Sequence, residues 1–203
     1  MVRKTKEEAE LTRQAVLSAA LKVFSCQGYA ATRLEEIADE AGVTRGAIYW
    51  HFKNKADLYI ELQYRASEQV ALVVGEAVEE GGRMIDILRR IMVRVWSYLE
   101  EDEEFRAVQE LSMLKSELTP ELRAGMEQKI EGMRSQSAGL AASVRQAMAD
   151  GDIDPHLNAE DVVRGYMSYL NGMVLLWVLD PASFSIKQSA STMADMFLRG
   201  LRP

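Results

Sequence analysis

Apolar side chains recur along this chain at steps of three and four, and no stretch alternates with period two. The pattern predicts helices throughout and an all-α fold. A first helix is expected over about 7–26, with Val16, Leu17, Ala20, Leu21, Val23 and Phe24 as its stripe and Gly28 at its end. Thr32, with Glu35 three residues on, reads as a capping box that opens a second helix. Leu34, Ile37, Ala38 and Ala41 form its apolar face, and Gly42 stops it. Thr44 then caps a third helix anchored by Ile48 and Phe52. Two short helices joined by a tight glycine turn make a helix-turn-helix. Asn54 caps a longer fourth helix over about 55–80.

Past Gly81-Gly82 the same periodicity predicts helices over about 84–99, 105–114, 120–150, 159–179 and 186–201, about nine in all. Thr119-Pro120, Asn158 and Ser185 supply starts for the last three. The acidic run at 100–104 is expected to be a solvated helix end.

Composition narrows the function classes. Cys26 is the single cysteine, and His51 and His156 make no cluster, so neither a disulfide nor a metal site is expected. The longest apolar run, Met173–Leu179, falls short of the roughly 20 residues that span a bilayer. The polar start carries no signal-peptide core. A cytoplasmic chain with no membrane partner is expected. No nucleophile elbow, phosphate loop or Cys–His pairing is present, so no enzyme and no cofactor are expected.

The net charge of −7 at first argues against nucleic acid. Its distribution reverses that argument. Residues 1–60 carry nine Lys and Arg against eight Asp and Glu, and residues 61–203 carry fifteen against twenty-three. Between Ala41 and Ala56 there are three basic residues and no acid, and Arg3, Lys4 and Lys6 form a second basic cluster. With Ile48 anchoring the third helix, Arg45, Ala47, Tyr49 and His51 are left to point outward.

The stretch TRLEEIADEAGVTRGAIYWHFKNK, Thr32 to Lys55, closely resembles the TetR family of bacterial transcriptional regulators, whose signature matches Ile48 to Lys55. Phe24, Gly28 and Thr32 fit the same pattern. The start of the chain, Arg164-Gly165-Tyr166 and Pro181-Ala182-Ser183-Phe184 are similar to the family's AcrR-like multidrug-efflux repressor branch. The resemblance implies a DNA-binding domain over 1–54 and a ligand-binding and dimerisation domain over 55–203. It implies DNA contacts by Thr32, Arg33, Thr44, Arg45, Ala47, Tyr49, His51 and Lys55. Arg45 would take a phosphate or a guanine edge, Ala47 a thymine methyl, and Tyr49, His51 and Lys55 the backbone. Trp50 is expected to pack against the protein and not to contact DNA.

Ten of the eleven methionines lie after residue 80, and methionine suits either a core or an adaptable binding surface. The resemblance implies an effector pocket, for which Leu88, Met92, Trp96, Phe105, Val108, Met126, Met133, Met167, Leu170 and Asn171 are candidates. Glu68 and Glu110 are the carboxylates nearest to them for a cationic ligand. The last two helices are apolar on more sides than one stripe needs. The resemblance implies that Val174, Trp177, Val178, Met193, Met196 and Phe197 form a homodimer face that sets two reading helices on a palindromic double-stranded operator. The expected function is a ligand-responsive repressor of efflux-type genes, released by a hydrophobic small molecule. The alternatives are an activator or catabolic-operon regulator of the same fold, or a helical small-molecule-binding protein without DNA function.

Overall fold

The computed structural model describes residues 6–116 and 119–203, apart from the side chains of residues 124–126 and 128–129. Arg3 and Lys4 and the Met126 side chain therefore lie outside the described residues. Among the described residues nine helices follow one another: α1 (Lys6–Ala31), α2 (Leu34–Ala41), α3 (Arg45–His51), α4 (Lys55–Glu79), α5 (Met84–Glu101), α6 (Glu103–Leu114), α7 (Pro120–Ala149), α8 (Ala159–Leu179) and α9 (Ile186–Arg199). The all-α expectation holds. Gly28, at φ +80°, interrupts α1 where the long amphipathic stretch was expected to end, and a last turn continues to Ala31.

The described chain divides into two compact units. One takes the chain up to Ser67 together with Ala107–Gly125, and the other takes Glu68–Arg106 with Met126–Pro203. The first unit is built on the α1 stripe. Val16, Leu17, Ala20 and Phe24 are buried together with Ile37 and Ala38 of α2, Ile48 of α3 and Leu58 and Leu62 of α4. The rings of Phe24, Tyr29 and Tyr59 meet with centroids 5.2–6.2 Å apart.

In the second unit α5 packs along α9, and α8 packs on both. Ile186, Ala190 and Ala194 are fully buried on α9 at four-residue steps. Small side chains at such a contact let two helices lie close. Arg89 crosses this contact to Asp195, with Nε 2.6 Å from Oδ1. The Trp96 indole donates to the Leu170 carbonyl at 3.1 Å, and the Tyr166 hydroxyl donates to the Leu88 carbonyl at 3.1 Å. These bonds fix α8 on α5. By length and composition α8 is apolar enough to cross a bilayer, with mean hydropathy 1.3 over its most apolar window. Here Val162, Val163, Tyr166, Met173, Val174, Trp177 and Val178 are packed inside the unit.

The acidic run is only in part the expected solvated helix end: Glu101, Glu103 and Glu104 are exposed, while Glu100 and Asp102 are half-buried and engaged. The Glu100 carboxylate accepts from the Ser185 hydroxyl at 2.9 Å and from the Lys187 N–H at 2.8 Å, which caps the start of α9 from α5. Glu101 pairs with the Lys187 ammonium. Asp102 accepts the Phe105 N–H at 2.7 Å and opens α6. Negative charge at helix N-termini is favourable, and here it joins three elements. Hydrogen bonds to a charged group are worth about 1.5–3 kcal/mol. Glu100→Ala is therefore expected to lower the melting temperature by about 3–12 °C. Thermal denaturation at fixed protein concentration measures it, with Glu103→Ala as the exposed control that leaves the midpoint in place.

Candidate nucleic-acid interface

The helix-turn-helix is set by the way α1 ends. At Gly28 the backbone takes a conformation that side chains resist, and a Cβ there would stand 3.1 Å from the Lys115 carbonyl oxygen. The next residue, Tyr29, donates its N–H to that same carbonyl at 3.2 Å, and the Lys115 ammonium donates to the Ser25 carbonyl at 2.8 Å. The Thr32 hydroxyl donates to the Gly28 carbonyl at 2.7 Å. Lys55, opening α4, donates to the carbonyls of Tyr29 at 2.7 Å, Ala30 at 3.2 Å and Thr32 at 2.8 Å. Its Nζ lies 4.5 Å from the centroid of the Tyr29 ring. Burial pushes the Lys55 pKa below the ordinary lysine value, against the pull of Glu121 and Glu36. Burial, with Glu121 alongside, raises the Tyr29 phenol to about 12.

Two expectations change here. The cap of α2 is Arg33 and not Thr32, and Glu36 in place of Glu35 reaches back to accept the Arg33 N–H at 2.8 Å. The Thr32 side chain is 2% exposed and holds the α1 terminus, so its hydroxyl is withheld from any phosphate. Lys55 likewise spends its three N–H groups on carbonyls of its own chain. The exposed lysine of this segment is Lys53, which the sequence reading did not single out.

The turn and α3 follow the expected chemistry. Gly42 adopts the left-handed conformation, φ +64°, and Val43 closes on the Ala38 carbonyl at 3.0 Å. The Thr44 hydroxyl accepts the Ala47 N–H at 3.2 Å. Ile48 and Phe52 point inward, with the Arg13 guanidinium over the Phe52 ring at 5.4 Å. The opposite face of α3 is open. Arg33, Thr44, Arg45 and Tyr49 are exposed, and Ala47 and His51 are half-buried. Arg45 donates to the Tyr49 hydroxyl at 3.0 Å, lies 5.5 Å from the centroid of that ring and pairs with Glu35 of α2. Asn54 accepts the Asp57 N–H at 2.9 Å and starts α4, as expected.

Trp50 departs from its expected packing against the protein. It is 74% exposed, beside Tyr49 at 48%, and its ring meets His51 edge-on at 4.8 Å. Trp50 is thus a surface aromatic on the open face. Its helical phase, two residues after buried Ile48, was the available signal.

The effector candidates separate. Leu88, Met92 and Trp96 are buried on one stripe of α5, and Phe105 is buried with its ring 5.1 Å from that of Tyr98. Met167 and Leu170 are half-buried on α8, and the Asn171 side chain is exposed and turned back to the Met167 carbonyl at 2.7 Å. Met133 is exposed on α7. Val108 is buried in the first unit, where Glu110 also lies, 3.9 Å from the Lys115 ammonium. Glu68 is exposed. Neither glutamate is a buried, unpaired carboxylate of the kind a cationic ligand would need.

The residues of the expected dimer face divide. Val174, Trp177 and Val178 are buried within the protomer, and the Trp177 indole donates to the Phe184 carbonyl at 3.0 Å. Phe197 stacks on Tyr169 at 5.2 Å. Of the six residues expected there, Met196 is exposed and Met193 and Phe197 are half-buried. The apolar side chains that α8 leaves open are Leu175, Leu176 and Leu179.

Residues 16–62 match the model of the bacterial regulatory proteins of the tetR family, and residues 84–203 match that of the MAATS-type transcriptional repressor C-terminal region. The transcriptional regulator AcrR of Shigella flexneri is 34% identical over 195 residues, covering 94% of this chain and 89% of that one. The structure of NalD, the secondary repressor of the MexAB-OprM multidrug efflux pump in Pseudomonas aeruginosa, superposes with a TM-score of 0.80 at 29% identity, over 97% of this chain and 98% of that one. A complex of SmeT, the repressor of a Stenotrophomonas maltophilia multidrug efflux pump, with triclosan gives 0.79 at 26% identity, over 95% and 92%. An open, acid-free α3 behind a glycine turn, and matches that run the length of the chain, have one meaning: this protein belongs to the TetR family of bacterial transcriptional regulators.

Proposed function

We propose that this chain is a homodimeric repressor of efflux-type genes, which leaves its operator when a neutral hydrophobic molecule binds its C-terminal region. The observation that carries the DNA reading is the open face of α3, where Arg45, Tyr49 and Trp50 stand side by side without an acid in the helix. Arg45 is the base-reading candidate, while the hydroxyls of Thr44 and Tyr49 and the side chains of Arg33, Lys53 and His51 grip the backbone. Trp50 adds an apolar surface for sugar. The protein works in the cytoplasm, where its operator is.

The effector is assigned as neutral because both candidate carboxylates are unsuited to a buried cation. Leu88, Met92, Trp96 and Phe105 supply an apolar wall, and the triclosan complex of SmeT is the precedent for a ligand of this chemistry. α4, α6 and α7 each carry the chain between the two units, and α4 is the one that starts directly after the reading helix, so it is the element through which a ligand would act. The ligand does so only through different affinities for the DNA-bound and released states. The second copy covers Leu175, Leu176, Leu179 and Met196. Buried against a partner, leucines that are exposed in the protomer would gain about 1.5–3 kcal/mol each, at most.

Four outcomes test this reading, those that involve DNA on a duplex selected by the protein from a random pool. Gel-shift titration is expected to show salt-dependent binding that Tyr49→Ala abolishes while the circular dichroism spectrum is unchanged. In the same titration Trp50→Phe removes the duplex-dependent change in tryptophan fluorescence, since Trp96 and Trp177 are buried. Unchanged affinity of the folded Tyr49→Ala protein sinks the DNA interface. Triclosan, the probe for the ligand class, is expected to raise the melting temperature and to release the duplex; stabilisation without release would overturn the coupling. Finally, Leu176→Glu is expected to sediment as a monomer in analytical ultracentrifugation, and a dimer there would refute the α8 face.

A further inference from the structure

We infer that Glu35 is a positioning residue that holds Arg45 for one base pair of the operator and so sets specificity at that pair. The inference rests on the DNA interface proposed above. Arg45 is held at two points. One terminal nitrogen pairs with the Glu35 carboxylate of α2, and the other donates to the Tyr49 hydroxyl at 3.0 Å. Tyr49 also lies under the guanidinium, 5.5 Å from its centroid.

A guanidinium has five N–H groups in one plane, and two contacts leave three unused, at least one on each terminal nitrogen. That is the fork a guanine edge accepts through O6 and N7. An arginine on a helix surface otherwise samples many rotamers and takes any phosphate within reach. Two fixed contacts remove that freedom before DNA arrives, so less ordering cost falls on binding.

Glu35 is suited to this role: it adds favourable charge to the first turn of α2 but does not make the cap. Its neighbour Glu36 performs the capping at Arg33, so the second carboxylate of this pair is not required by the start of α2. Both Glu35 and Arg45 are about half exposed. A carboxylate beside a DNA-reading helix repels phosphate unless its charge is balanced. Glu35 is therefore tolerated in the register where Arg45 stays between it and the DNA, and it opposes other registers.

The test is a base-by-base binding profile of the selected duplex, in which each pair is replaced in turn, for the full-length protein and three variants. Arg45→Ala is expected to flatten the preference at one pair in each half-site, there costing roughly five- to a hundredfold in discrimination. Glu35→Gln is expected to weaken the preference at that same pair by roughly two- to fivefold and at no other. It is also expected to tighten binding to a scrambled duplex. The double variant should match Arg45→Ala alone at that pair, because Glu35 acts there through Arg45. A uniform change across all pairs, a change at a different pair, or no change would overturn the proposal. Failure of the unmodified protein to select any duplex would instead overturn the DNA interface itself, which separates the two claims.

Discussion

Lys55 closes the three carbonyls at which α1 gives way to α2, and the placement of the reading helix follows from that closure. The carbonyls at the end of a helix have no partners within it. Here the positive-φ, extended break at Gly28 (φ +80°, ψ 166°) aims those of residues 29, 30 and 32 at one point, and the ammonium that opens α4 meets them. The same residue thus ties the end of α1, the lead into α2 and the start of α4. α3 has only seven residues, too few to hold an orientation by itself, and it inherits one from these ties and from Ile48. The charge is expensive to bury, and three backbone acceptors with an aromatic face alongside are what make burial tolerable.

Much of this architecture is written in local patterns. Helices began at Thr44, Asn54, Asn158 and Ser185 because each side chain caps the N–H three residues on, which is information carried within four residues. The misreadings arose where a second, distant partner decided the matter. Thr32 and Arg33 were both followed by a glutamate at the capping distance, and the orphan carbonyl of Gly28 claimed the Thr32 hydroxyl. Lys53 and Lys55 are equivalent as charges, and the path of α1 selects which one is internal. α8 is apolar on both sides, so periodicity alone offers no choice between the core and a partner; Trp177 goes inside because the Phe184 carbonyl receives its indole. Trp50 is the one error that helical phase alone would have prevented.

The partition of charge takes on a different meaning once the acids are located. Much of the acidic run between α5 and α6 is spent on helix starts and on Lys187. Arg89, Arg94 and Arg145 are paired with Asp195, Glu80 and Glu160 in the second unit. In the first unit several acids are likewise turned inward or sideways, with Glu61 on Arg13, Glu40 on Lys22 and Glu36 on Arg33. The acid-free stretch from Ala41 to Ala56 is thereby left as the part of this unit's surface where a polyanion meets the least opposition.

The leucines left open on α8 bear on the life of the newly made chain. Leu175, Leu176 and Leu179 lie on a helix whose other side is needed for the core. On the pairing proposed above, this is an adhesive strip until a second copy covers it. Pairing of two copies depends on protomer concentration, so the wait before it lengthens as abundance falls. On that pairing the strip would link the protein's solubility to its own dosage: each protomer would depend on the next one made, and chains that stay single would be the ones offered to chaperones and proteases.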